Sequence, residues 1–231
     1  MSRSTDRTTR NRLGVAPDAG AWCTIGKIPE PPAQVHEAAG AGRLRPAPLR
    51  PLGVLGAVLV APLMPIAMLF SLLASGEEAL KRLLSSAQDR ERARAADLDA
   101  EQRGRAVVEH GLDKTFDGDW TGAAGQFLLR WYGHSSHHQR FVLLSQGRVL
   151  LAAPPRRVSV RREDRMRVVA ELAATEAVVE DPLNGVHESD KLRIRFSDGS
   201  WLTLTTEEWR SDLHQYLTRH APSGEAGEAG A

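Results

Sequence analysis

Three histidines, His134, His137 and His138, fall within five residues, and their type and spacing bear directly on chemistry. Neutral imidazoles bind transition metals, and i, i+3 spacing can bring two of them to one side of a turn. No cysteine or carboxylate nearby completes a coordination shell, so these read as exposed loop histidines, and no metal or other cofactor is assigned. Asp113, Asp117 and Asp119 alternate in DKTFDGDW, but the glycine position and the bidentate terminal glutamate of a calcium loop are missing. A turn is expected there instead. The sequence has no phosphate-cradling Gly-Lys-Ser/Thr loop, no G-x-S-x-G elbow and no H-E-x-x-H pair. Serine, histidine and aspartate are all present, yet a triad is defined by geometry and not by inventory. The expectation is a protein without catalytic activity.

A second cluster points to binding. Arg156, Arg157, Arg161, Arg162, Arg165 and Arg167 crowd a short stretch, diluted by Glu163 and Asp164. Such a cluster suits an anionic lipid headgroup, each charge near an anionic leaflet contributing about 1 kcal/mol, or a protein partner. Of the 30 basic residues only Lys27, Lys81, Lys114 and Lys191 are lysine, an arginine bias that matches a high-GC bacterial genome and lowers the weight of arginine frequency by itself. Residues 106–231 carry fifteen basic and eighteen acidic side chains, so bulk charge gives no case for nucleic acid. Cys23 is the only cysteine, which rules out an intramolecular disulfide. Trp120, Trp131, Trp201 and Trp209 read as packing residues more than as a ligand pocket.

The elements that position these groups divide around one apolar run. Residues 52–74, LGVLGAVLVAPLMPIAMLFSLLA, contain no charged side chain. A bilayer core of about 30 Å needs about 20 apolar residues in a helix. The run starts too late to be a cleaved signal peptide. Pro62 and Pro65 interrupt it, so both a single span and a re-entrant hairpin turning at PLMP fit. Arg43, Arg45 and Arg50 before it balance Lys81, Arg82 and Arg90 after it, leaving orientation open. Residues 1–51 read as a disordered basic tail, 77–105 as a charged helical stalk, 106–124 as a linker and 221–231 as a disordered tail.

Seven short strands and a helix are expected over residues 125–220. The strands are Gly125–Tyr132, Arg140–Ser145, Arg148–Ala153, Met166–Leu172, Glu176–Glu180, Lys191–Phe196 and Trp201–Thr205. Gln146-Gly147 predicts one tight hairpin. Asp198-Gly199 predicts another, with Phe196 opposite Trp201 and Leu192, Ile194 and Phe196 facing the core. Thr205 and Glu208 have capping-box spacing for the closing helix, whose apolar face is Trp209, Leu213, Tyr216 and Leu217.

Through RFVLLSQGRVLLA, MRVVAEL and LRIRFSDGSWLTL before a helix, residues 125–220 resemble bacterial pleckstrin-homology-like domains. The resemblance covers under half of the chain and involves no catalytic motif. It implies a seven-stranded antiparallel barrel or sandwich capped by a C-terminal helix, acting as a binding or scaffold module near a membrane. Taken with the apolar run and the charged stretch after it, the expectation is an α+β chain: a transmembrane or re-entrant helical segment, a helical stalk, then the β domain. The chain is then expected to be a non-catalytic interaction module at the cytoplasmic face of the bacterial inner membrane, in contact with the lipid bilayer through residues 52–74 and binding an anionic lipid or a protein. The basic grip of many such domains on phosphoinositides is missing here, since GHSSHHQ between Arg130 and Arg140 offers only histidines. A structural subunit of a membrane complex, and a small membrane-bound enzyme or ligand sensor, are the competing readings.

Overall fold

The computed structural model describes residues 12–40, 43–46, 87–158 and 161–220. The apolar run 52–74, the tail 221–231 and residues 1–11, 41–42 and 47–51 therefore lie outside the described residues. The chain divides into two compact units, Met1–Ala47 with Arg105–Ala231, and Pro48–Gly104. Among the described residues no helix is long and apolar enough to cross a membrane.

The first unit is α+β, built on a seven-stranded antiparallel sheet and a C-terminal helix. Its strands are β1 (Ala19–Ile25), β2 (Arg140–Ser145), β3 (Arg148–Ala153), β4 (Arg167–Leu172), β5 (Ala177–Glu180), β6 (Lys191–Phe196) and β7 (Trp201–Thr206), ordered β4-β3-β2-β1-β7-β6-β5. The helices are α1 (Ala33–Ala38), α2 (Ala87–Glu109), α3 (Ala123–Arg130) and α4 (Asp212–Arg219).

The count of seven strands agrees with the expectation, but the membership does not. The stretch expected to be disordered supplies β1, the middle strand, which pairs with β2 through Cys23↔Arg140 and with β7 through Cys23↔Thr206. Being flanked on both sides buries almost the whole strand, so its sequence, AGAWCTI, lacks the alternation of a half-exposed strand. Gly20 is required there by proximity: a Cβ would stand 2.9 Å from Phe141 Cζ and 3.2 Å from the Val142 carbonyl oxygen.

Conversely, Gly125–Tyr132 is not a strand. Ala123–Arg130 is helical, because Ala124, Phe127, Leu128 and Trp131 recur at i, i+3, i+4 and i+7 and turn one face inward. Its N-terminus is capped from the β6–β7 turn: Ala123 N–H donates to Asp198 Oδ2 at 2.7 Å and Ala124 N–H to Ser200 Oγ at 2.9 Å. The linker expected over residues 106–124 is likewise part of the core, since Leu112, Phe116 and Trp120 are buried and Phe116 bridges to Leu202.

Two apolar layers follow from strand parity. One face of the sheet packs Ala21, Cys23, Val142, Leu151, Ile194 and Leu202 against Leu128 of α3 and Leu213 of α4. The other holds Trp22, Phe141, Leu143, Leu150 and Met166, partly covered by Leu13 and Val15. The β2–β3 turn is the expected two-residue one, with Gln146 and Gly147 both at positive φ and Ser145 opposite Arg148. The β6–β7 register is shifted by one from expectation, Arg195 pairing with Trp201 and Ile194 with Leu202. Phe196 N–H donates to the Ser200 carbonyl, leaving three residues in the loop with Gly199 at φ +86°. The core-facing set Leu192, Ile194 and Phe196 is as expected.

The final helix starts at Asp212, not near Thr205, which stays in β7. Trp209 precedes the helix and is 54% exposed, so it is no core wedge; Leu213 fills that role. His214 fastens the helix start, accepting from Ser211 Oγ at 2.9 Å through Nδ1 and donating from Nε2 to the Lys191 carbonyl at 3.2 Å.

In the second unit the described residues belong to α2, which is rich in charge and mostly exposed there, with Arg103 paired to Asp99 at 2.8 Å. The stalk expected over 77–105 is helical from Ala87, and residues before that lie outside the described ones.

Candidate functional site: an arginine-rich loop

The six arginines lie on the β3–β4 connection and the first residue of β4. Burial separates them into two groups. Arg162 is half-buried and structural: its guanidinium stacks 4.1 Å from the centre of the Trp22 ring. It also pairs with Glu207, donates to Gln139 Oε1, and reaches Glu163 at 3.1 Å. These contacts join the connection to β1, to the segment before β2 and to the residues after β7. Arg162, with smaller help from a Gln139 hydrogen bond, holds the Glu207 carboxyl below its ordinary range. Arg157 is also half-buried and engaged. Arg156, Arg161, Arg165 and Arg167 are exposed, and none of the four forms an ion pair among the described residues.

The connection itself is anchored. Ser135 Oγ donates to the Pro154 carbonyl, and His137 Nε2 donates to the Val158 carbonyl at 3.1 Å while its Nδ1 accepts from Gln139 N–H. A 3₁₀ turn, Glu163–Arg165, then leads into β4. Four exposed guanidinium groups thus stand on a backbone held at several points, which lowers the ordering cost of engaging an anion.

The histidines do different work from that expected. His137 is buried, not an exposed loop residue, and burial pushes its pKa, and that of half-buried His138, below the usual histidine range. Beside it Arg140 is 1% exposed and donates to the carbonyls of Trp131, Ser135, His137 and Gln139 while stacking 5.0 Å from Trp131. Desolvation lowers its pKa to about 10, leaving it charged at neutral pH. Arg140 therefore organises residues 131–139 as a carbonyl cage around a cation. The bracing roles of Arg140 and His137 were not visible in the sequence, because the acceptors are backbone atoms brought together only by the fold. Among the described residues no three or more His, Cys, Asp or Glu side chains gather as a metal site. Asp117 and Asp119 serve as turn acceptors for Asp119 N–H and Thr121 N–H.

Two clefts bear on ligand binding. One, of about 200 Å³, lies beside α3 and is lined by Phe127, Trp131, His134, Arg140 and Val169; it is smaller than usual small-molecule pockets. The other, of about 370 Å³, lies along α4. His214 lines it, but Ser211, the hydroxyl bonded to that imidazole, does not. The second ring nitrogen faces a carbonyl, not an orienting carboxylate. That pair is a structural lock.

Compared with known proteins, the chain matches no family model, no curated protein and no solved structure.

Proposed function

We propose that the chain is a non-catalytic interaction module tethered to the bacterial inner membrane by residues 52–74, with a pleckstrin-homology-like β domain on the cytoplasmic side. In this reading Arg156, Arg161, Arg165 and Arg167 meet the anionic leaflet. The observation that carries it is those four exposed guanidinium groups on an anchored connection. An antiparallel meander in which β1 lies between β2 and β7, followed by a C-terminal helix, supports the domain type.

Two measurements test the reading. The tether requires the chain to remain in membranes after alkaline washing and to leave only with detergent. Hydrogen exchange on the full chain in vesicles then reads the connection: residues 154–158 and 161–166 gain protection with anionic lipid and not with zwitterionic lipid. Replacing the four exposed arginines by glutamine removes that gain, each charge near the leaflet being worth about 1 kcal/mol. Equal protection in both lipids would reject the leaflet as the partner of these arginines.

A further inference from the structure

The strand order constrains how the chain meets a membrane, an inference that rests on the tether reading. Cys23 of β1 is opposite Arg140 of β2 on one side and Thr206 of β7 on the other. Residues before and after the apolar run 52–74 are therefore adjacent in one sheet, and a sheet cannot be shared across a bilayer. The described part of the connection offers no second crossing, because charged residues recur along α2 and no described helix is apolar enough. Residues 26–51 contain no uninterrupted apolar run of spanning length.

We infer that the chain on the two sides of residues 52–74 lies on one face of the membrane, so that the apolar run does not cross as a single span and the whole β domain shares one compartment. The lengths agree. Two full crossings would need about 40 apolar residues, and 23 are present. The balanced basic flanks, Arg43, Arg45 and Arg50 against Lys81, Arg82 and Arg90, are compatible with two ends on the cytoplasmic side. The partner surface is thus a single lipid leaflet, the one the exposed arginines of the β3–β4 connection also face in the proposed function.

The test uses the full chain carrying R45C, M64C or E91C. Native Cys23 stays in place, since it is fully buried in β1 and its thiol is pushed far above its usual pKa by that burial. Right-side-out and inverted vesicles from expressing bacteria are treated with a membrane-impermeant maleimide. Positions 45 and 91 are expected to label in inverted vesicles with complete loss of labelling in right-side-out ones, and position 64 to stay unlabelled from the outer face. Labelling of 45 and 91 from opposite faces, or of 64 from the outer face, overturns the inference while leaving the tether standing. Protease digestion of the unsubstituted chain in the same two preparations gives the same decision without any substitution. Release of the chain by alkaline washing removes the tether itself, and this inference with it.

Discussion

Replacing Gly125 by alanine adds one methyl group in the first turn of α3. A Cβ there would lie 2.4 Å from the Asp119 carbonyl oxygen, 2.5 Å from Trp120 Cα and 2.8 Å from Trp120 C. Carbon atoms rest at about 3.5–4.0 Å, so the helix must retreat from residues 119–120 by about 1 Å. Because every obstructing atom is backbone, no rotamer change relieves the clash, and the overpacking cost sits near the upper end of about 1–3 kcal/mol. Retreat also stretches the Asp198 and Ser200 caps on Ala123 and Ala124, each such cap being worth about 1 kcal/mol. Alanine's better helix propensity returns about 1 kcal/mol. The net expectation is about 2–3 kcal/mol of destabilisation, which at a urea slope of about 1–3 kcal/mol/M moves the midpoint down by about 1 M. All five tryptophans, Trp22, Trp120, Trp131, Trp201 and Trp209, belong to the unit that holds the sheet, so their fluorescence reports this unit. Gly104 in α2 supplies the contrast: a Cβ there meets nothing within 4 Å. Its alanine variant should raise helicity by circular dichroism and leave the fluorescence midpoint in place. A G125A variant that unfolds at the wild-type midpoint with an unchanged slope would refute the reasoning.

Further expectations concern pH and the buried cation. His137, His138 and His214 all have pKa values lowered in the folded state, mainly by burial, from an ordinary 6.5. The unfolded chain therefore binds protons first, so their stabilisation is complete above about pH 6.5 and is lost progressively as pH falls below it. The urea midpoint should drop between pH 7.5 and 5.5, and a flat profile would contradict the burial of these rings. R140M removes the donor to four carbonyl groups; an expected loss of about 3 kcal/mol or more, with faster amide exchange in residues 131–139, follows from stranding buried acceptors.

Local signals made several elements readable in the sequence. The β2–β3 hairpin followed from Gln146-Gly147 between apolar runs, and the inward set of β6 from strict alternation. Elements that depend on distant partners were not readable. β1 is a strand because β2 and β7 flank it, and Gly20 reads as a breaker until Phe141 is seen against it. The helix α3 begins where Asp198 and Ser200 supply a cap from more than 70 residues away. Leu112, Phe116 and Trp120 fall in the stretch read as a linker, and they are core only because the sheet lies beneath them, as the Phe116–Leu202 bridge shows. Of the candidate site, the arginines were legible as a group, but the division between bracing Arg162 and exposed Arg165 and Arg167 needed Trp22 and Glu207 in place.

The position of β1 also sets an order of events during synthesis. Residues 26–139, 114 in all, separate Ile25 from Arg140. Closing that loop costs about 3 kcal/mol more than closing a four-residue hairpin, at about 0.6 kcal/mol per doubling. Thr206, the far end of β7, is translated roughly 10–35 s after Ile25 at about 5–20 residues per second. β1 has no strand to pair with until β2 is made, and it lacks its second neighbour until β7 follows, while residues 52–74 have already emerged from the ribosome. In the tether reading the nascent chain therefore reaches the leaflet first, and the sheet that holds both ends of the insertion closes afterwards.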